Sequence, residues 1–269
     1  MRIVNLENKD RKVVAEAGRF KVLEYIRDAS VCPNTASTEY FMSEMGVRRR
    51  QLIVELDGSN KVVTQAGAMQ WFAGDVRAAT GIKGVGDLMG NLVKGAVTNE
   101  SAVKPEYEGK GYLALEPTYK FIILVDIGEW GNGMTIEDGM FLASDDTVKN
   151  KVVGRSNLSS ALLGKEGLFN LSLYGSGIAA LESNVPGDEL IEIELNDEEL
   201  KIDGDMAVCW TTGLKFTVER TTKTLIGSAV SGEGLVNVYR GTGRVLMSPV
   251  AMTKSLYDAT NSLKAKPGK

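Results

Sequence analysis

The chain of 269 residues contains no histidine. That absence removes Ser-His-Asp and Cys-His nucleophile activation, and with them the commonest transition-metal ligand. It is the strongest argument in the sequence against a conventional hydrolase, although carboxylate, lysine or tyrosine acid–base chemistry stays open. Cysteine is scarce. Cys32 and Cys209 stand far apart with no CxxC, which gives neither a disulfide framework nor a zinc spacing. No apolar run is long enough to span a bilayer. Residues 1–10 lack the apolar core of a signal peptide, so the expectation is a cytoplasmic protein, with peripheral membrane association open. Basic charge is not in excess. Lys and Arg number 31 against 35 Asp and Glu, a net charge of −4, which disfavours a broad nucleic-acid footprint. What is left, 43% hydrophobic and 25% charged residues, is globular composition ample for a substantial core.

Against these absences stands one pattern present three times. Gly109-Lys110-Gly111, Gly175-Ser176-Gly177 and Gly241-Thr242-Gly243 have their last glycines 66 residues apart. Each leads into an apolar stretch: Tyr112-Leu113-Ala114-Leu115, Ile178-Ala179-Ala180-Leu181 and Arg244-Val245-Leu246-Met247. Downstream, Leu124-Val125-Asp126-Ile127 falls on Leu190-Ile191-Glu192-Ile193, and Met140 on Met206. An earlier copy overlays at a step of 71, placing Ile53-Val54-Glu55-Leu56 on Leu124-Val125-Asp126-Ile127, with its glycine pair degraded to Met45-Gly46. A period of this length signifies one structural unit built repeatedly and stacked.

Each copy reads as β structure. Leu190-Ile191-Glu192-Ile193-Glu194-Leu195 is an apolar strand with alternating acids. Asn196-Asp197-Glu198-Glu199 then supplies a turn before Leu200-Lys201-Ile202, the signature of a hairpin with a return strand. Asp57-Gly58-Ser59-Asn60 and residues 128–133 occupy the same place in the other copies, and such residues tolerate positive φ. Short, evenly spaced strands argue for an all-β sandwich or barrel-like unit. The best helix signal is the tail over 252–263, where Leu256, Ala259 and Leu263 recur at helical spacing.

Several of these segments resemble the altered-inheritance-of-mitochondria family. They are Gln65-Ala66-Gly67-Ala68-Met69, Gly167-Leu168-Phe169-Asn170, Gly232-Glu233-Gly234-Leu235-Val236-Asn237 and Gly241-Thr242-Gly243-Arg244-Val245-Leu246-Met247. The resemblance runs from about Thr38 to Pro249. It implies an all-β fold similar to the tryptophan-RNA-binding attenuation protein, with three such β-sandwich units about a pseudo-threefold axis as a β-prism. The family's fungal members are linked to mitochondrial inner-membrane organisation. The resemblance carries no catalytic residues with it. The expected organisation is a β-rich extension over 1–37, one β-prism domain over 38–249 and a helical tail over 250–269. The three repeats of the prism are expected at about 38–110, 111–176 and 177–249.

Candidate chemical motifs are few. Cys209, inside Met206-Ala207-Val208-Cys209-Trp210, is either a reactive thiol or a small buried hydrophobe, and with no histidine beside it the second reading is favoured. Cys32 precedes Pro33 in a loop with nothing nearby to activate it. Asp203-Gly204-Asp205 resembles a fragment of a calcium loop but lacks the remaining acids, so a strand-to-strand turn explains it better. Gly81-Ile82-Lys83-Gly84-Val85-Gly86 lacks the ending of a phosphate loop. The glycine pairs likewise mark bulges or close backbone approach rather than a nucleotide site. Arg48-Arg49-Arg50 is either an anion or acidic-lipid contact or a solvated edge that discourages strand pairing. Alternation puts Arg48 and Arg50 on one face and Arg49 on the other.

One further feature occurs once per repeat. The connections carrying Leu88, Met89, Leu92 and Val93, then Leu158, Leu162 and Leu163, then Leu225, Ile226 and Val230 mix apolar with small polar residues. In a threefold arrangement they gather at equivalent places, either as docking loops or as plugs for the open end of each unit. No metal or cofactor is expected. The function expected is a non-enzymatic scaffold or interaction protein that docks an unknown protein or a membrane surface. The alternative is a small-ligand- or RNA-binding module, by analogy with the attenuation protein. Self-association into a homo-oligomer is open.

Overall fold

The computed structural model describes residues 1–79, 104–154, 169–203, 206–220 and 235–250. Within them the chain is nearly all β. The strands are β1 (Arg11–Ala17), β2 (Phe20–Tyr25), β3 (Arg50–Asp57), β4 (Val62–Thr64), β5 (Met69–Ala79), β6 (Glu106–Leu115), β7 (Phe121–Asp126) and β8 (Met134–Ile136). They continue as β9 (Phe141–Asp145), β10 (Val148–Gly154), β11 (Phe169–Gly175), β12 (Ile178–Ser183), β13 (Ile191–Asp203), β14 (Ala207–Thr211), β15 (Lys215–Arg220) and β16 (Leu235–Met247). One helix, α1 (Ala36–Glu44), and two 3-10 turns complete the described elements. One sheet runs β1-β2-β3-β6-β4-β9-β12-β7 with β5 on β6. The other runs β10-β11-β8-β14-β16-β13 with β15 on β16. The expected C-terminal helix lies outside the described residues.

Equivalent sequence positions make equivalent pairs. Ile53 pairs Ala114, and Leu124 pairs Ala180, the same pair moved along by the sequence period. In the third copy Glu192 pairs Leu246. That is a slide of two residues, which keeps every side chain on its face. On the other side of each closing strand a bulge recurs. Met69 and Trp71 pair Leu115 and Ala114, Phe141 and Ala143 pair Leu181 and Ala180, and Ala207 and Cys209 pair Met247 and Leu246. The residues left over are Gln70, Leu142 and Val208.

The Asn/Asp/Gly turns do not reverse the chain, contrary to the hairpin expectation. β3 and β4 both run antiparallel to β6, Asp57 pairing Lys110 and Val62 pairing Tyr107. β7 and β8 follow β12 and β11 in the same way. β13 runs straight through its turn with a slip between Leu195 and Glu198. These segments are bulges in a strand that keeps its direction. The positive φ of Gly58 (+91°) and Asp197 (+56°) suits a bulge as well as a hairpin turn. The long strand opposite decides between them.

The first and third glycine pairs lie inside β6 and β16 and the second spans the end of β11, and around Gly109, Gly111 and Gly175 another backbone passes closely. A Cβ on Gly109 would stand 2.0 Å from the carbonyl oxygen of Asp75. The expected repeat boundary at 110/111 falls within β6, and that at 176/177 falls between β11 and β12. Met45-Gly46 follows the end of α1, with Gly46 at φ +78°.

β3 is buried on both faces. Leu52, Val54 and Leu56 enter one core with Leu113 and Leu115. Ile53 meets Leu23 and Ala114 on the other face, beneath Leu6, Val13 and Trp71. The β1–β2 hairpin supplies that second cover. Among the described residues β13 has no such cover, and its opening shows Ile191 46% exposed with Glu192 and Glu194 also exposed. That is why one strand reads Leu-Ile-Val-Glu-Leu and the other alternates with acids. Arg19, at the hairpin tip, fastens the extension to the rest of the sheet. Its guanidinium meets Asp145 at 2.6 Å and donates to the Asn60 and Lys61 carbonyls, while Asp145 also accepts from the Ile178 amide at 2.8 Å.

Candidate interaction surface

The arginine run does not form a solvated edge. β2 lies against β3 with Glu24 opposite Arg50, so the strand enters the sheet already covered. Arg50 is 5% exposed. It pairs with Glu24 at 2.7 Å, and its guanidinium sits 3.9 Å from the Phe121 ring centre. Arg48 reaches the other oxygen of Glu24 at 3.0 Å. One carboxylate thus serves two arginines on one face, as strand alternation requires. Burial pushes the Arg50 guanidinium below its ordinary value, and Glu24 opposes that push.

Arg49 takes the opposite face. It meets Asp28 at 2.7 Å and Glu39 at 3.4 Å, and donates to the Tyr119 hydroxyl at 2.9 Å. Tyr119 in turn donates to Glu39 at 3.0 Å. The Tyr119 bond leads the upward shift of Arg49, against burial. Burial alone would raise the Asp28 carboxyl, but hydrogen bonds from Ser30 and the charge of Arg49 hold it below its usual range. A run that read as three available cations is consumed by three acids of the N-terminal segment.

These groups floor a cleft of about 760 Å³ between the hairpin and α1, lined among others by Tyr25, Asp28, Tyr40, Val47, Arg49 and Tyr119. α1 buries no residue at all. It is held from below by polar bonds: Ser43 donates to the Ile26 carbonyl at 2.9 Å, and Arg48 donates to the Ser43 carbonyl at 3.2 Å. Tyr40, which lines the cleft, is 61% exposed, Phe41 is 67% exposed and, just past the helix end, Met45 is 82% exposed. The two rings meet edge-on at 5.5 Å. An amphipathic helix normally turns such residues inward, so an apolar group of this kind left exposed makes this side of α1 the candidate contact surface.

Comparison with known proteins places this framework. Residues 44–250 match the family described as mitochondrial biogenesis AIM24. The chain belongs to that family. It is 30% identical over 200 residues to an uncharacterized protein of Streptococcus pyogenes serotype M6, covering 71% of this chain and 78% of that protein. It also superposes on the crystal structure of a Streptococcus pyogenes protein with a TM-score of 0.56 at 25% identity, over 81% of this chain and 94% of that one. The AIM24 match begins at residue 44. It includes Arg48, Arg49 and Arg50 but not Glu24, Asp28, Glu39 or all but the last residue of α1.

The other sequence candidates fare differently. All ten docking-loop residues, Leu88, Met89, Leu92, Val93, Leu158, Leu162, Leu163, Leu225, Ile226 and Val230, lie outside the described residues, as does the Gly81–86 segment. Asp203 ends β13, and its partners Gly204 and Asp205 also lie outside. Among the described residues, no three acids or cysteines gather as a metal set, and no helix is long and apolar enough to cross a membrane. Cys209 is 3% exposed, and burial pushes its thiol up to about 12, a small hydrophobe rather than a nucleophile. Cys32 is exposed and does have a neighbour: the Thr35 hydroxyl lies 3.3 Å away and lowers its thiol.

Sequence reasoning missed α1, having assigned residues from 38 onward to the β domain. A usable signal was there. Residues 36–44 show no apolar/polar alternation, and they follow Pro33-Asn34-Thr35, a turn-forming stretch. Glu24 was legible as a strand residue, but its double partnership depends on the pairing of β2 with β3.

Proposed function

We propose that this protein is a non-enzymatic scaffold of three TRAP-like β units arranged as a prism, and that it engages a protein or membrane surface through α1. The unit reading is supported by the bulge that recurs at Gln70, Leu142 and Val208. It places the units near 50–115, 121–183 and 191–247, with residues 1–49 as an added platform. One observation carries the docking reading: Tyr40, Phe41 and Met45 are exposed on or just past a helix that buries nothing. Arg48, Arg49, Glu24, Asp28 and Glu39 are already committed to one another, which favours adhesion over acid–base chemistry.

The test is an affinity capture from native lysate with membranes retained, comparing the wild type with a Tyr40→Ser, Phe41→Ser pair. Specific partners lost with the pair support the reading. Identical captures from both proteins would sink it. Vesicle flotation with neutral and acidic lipids separates a membrane partner from a protein one. The second reading, a ligand-binding module, has the cleft above Arg49 in its favour. It favours a small polar ligand over RNA, given the net charge of −4. Saturable binding that Tyr119→Phe weakens would favour that reading.

A further inference from the structure

The polar knot beneath α1 divides into a fixed part and a loose part. Arg49 and Tyr119 are fixed to the sheet. The Arg49 carbonyl accepts from the Tyr25 amide at 2.9 Å, and Thr118, next to Tyr119, exchanges backbone hydrogen bonds with Arg50 at 2.7 and 2.8 Å. Asp28 is fixed as well, meeting Arg49 at 2.7 Å and accepting from the Ser30 amide at 2.9 Å. Glu39 is the loose member. Both of its oxygens stand 3.4 Å from one Arg49 nitrogen, whereas a charge-assisted bond closes to about 2.7–2.9 Å. The helix that carries Glu39 is loose too. α1 has nine residues, buries none and lacks a side-chain bond at its N-cap Thr35. Helices shorter than about 12–15 residues are marginal without packing. Lifting this one costs chiefly the few polar bonds already described.

Tyr119 shows what the fixed part can hold. Its hydroxyl accepts from Arg49 Nε at 2.9 Å, which turns its own proton toward Glu39, 3.0 Å away. An oxygen at that point therefore meets a guanidinium and an oriented hydroxyl together, a pairing that suits a carboxylate. The cleft above, about 760 Å³, is of small-molecule size. Tyr40 and Val31 give it an apolar wall, and the exposed Arg27 lines it as well. Asp10 and Glu44 also line it, so it suits one negative charge rather than several.

We propose that Glu39 is an internal stand-in for a ligand carboxylate. A small monocarboxylate with an apolar body enters the cleft, takes the bonds of Glu39 to Arg49 and Tyr119, and frees α1 to lift from the sheet. The proposal rests on the second reading above, the cleft as a ligand site, and adds the ligand class and its coupling to α1. Ligand and Glu39 compete for one seat, so whatever frees Glu39 tightens binding.

The test titrates phenylacetate into the full chain by calorimetry, with phenethylamine, a similar ring on an ammonium, as the probe of opposite charge. Saturable binding of phenylacetate alone is expected. Glu39→Gln should tighten it about two- to fivefold, the range that loss of one partly exposed ion pair allows. Tyr119→Phe and Arg49→Met should weaken it, with far-UV circular dichroism preserved. Hydrogen exchange gives the second readout: with phenylacetate bound, the amides of α1 should exchange faster while those of β3 and β6 stay as they were. Binding that Glu39→Gln weakens or leaves alone would overturn the proposal. So would bound phenylacetate that slows exchange in α1 or does not change it. Phenethylamine bound in preference, and lost with Tyr119→Phe, would keep the cleft as a ligand site while overturning the carboxylate seat. Binding of neither probe would overturn the seat as well.

Discussion

The glycine at 109 offers the sharpest check on how the closing strands are built. Its φ is +118°, and a Cβ there would sit 2.0 Å from the Asp75 carbonyl oxygen and 3.0 Å from the Asp75 carbonyl carbon. Both contacts are backbone, so no side chain can swing aside. Restoring an ordinary 3.4 Å contact requires β5 to withdraw from β6 along a ladder of ten pairs. The backbone conformation costs an L-residue about 1–2 kcal/mol. The crowding adds about 1–3 kcal/mol, as overpacking does elsewhere. Gly109→Ala should therefore lose roughly 2–5 kcal/mol. At about 2–4 °C per kcal/mol for a chain of this size, its unfolding midpoint should fall by roughly 4–20 °C. Two glycines calibrate the terms. Gly67, at φ +77° with nothing within 4 Å, carries the conformational cost alone, so Gly67→Ala should lose only about 1–2 kcal/mol. Gly187 meets only the Ile123 side chain, at 3.5 Å, and its alanine variant should stay within about 0.5 kcal/mol of wild type. Thermal unfolding followed by circular dichroism ranks the three. If Gly109→Ala and Gly67→Ala lose the same stability, close backbone approach is not what the glycine pairs serve.

Three more outcomes follow from the charged and thiol groups. Arg50→Met should cost about 2–4 kcal/mol in guanidinium chloride unfolding, because it strips a partner from the mostly buried Glu24; a loss below about 0.5 kcal/mol would mean Arg48 alone suffices for that carboxylate. Thiol titration of the native protein at pH 8 should count one fast group, Cys32, and release the second only on unfolding, since burial holds Cys209 at about 12; rapid labelling of both would contradict the burial of β14. Glu219 is held at about 2, first by its hydrogen bond from Arg240 and then by that from Thr217. Its depressed value favours the folded state above the ordinary 4.5 and loses that contribution as pH falls toward 2. A carbon-13 titration should place the Glu219 midpoint near 2 and raise it toward the ordinary 4.5 in Arg240→Met, with the Thr217 bond still holding it below that value; a midpoint that ignores the substitution would discount the pair.

The sequence alone determined what a short-range signal can determine. Alternation and turn residues gave the strands, the 66-residue step aligned the apolar stretches, and the glycine pair at 109 and 111 announced close backbone contact. These properties are local or periodic, so they survive without knowledge of the partner. Only the tertiary structure decided three others. Asp57-Gly58-Ser59-Asn60 and Asn196-Asp197 became bulges instead of hairpins because β6 and β16 are long enough to hold both sides of the turn in one direction. Arg48, Arg49 and Arg50 became internal struts because β2 and α1 bring Glu24, Asp28 and Glu39 to them from residues that no spacing rule connects. Tyr40 and Phe41 ended exposed because Ser43 and Arg48 anchor the polar side of α1 to the hairpin beneath it. A residue's own preference is written in the chain, but its partner is chosen by whichever distant segment the sheet carries past it.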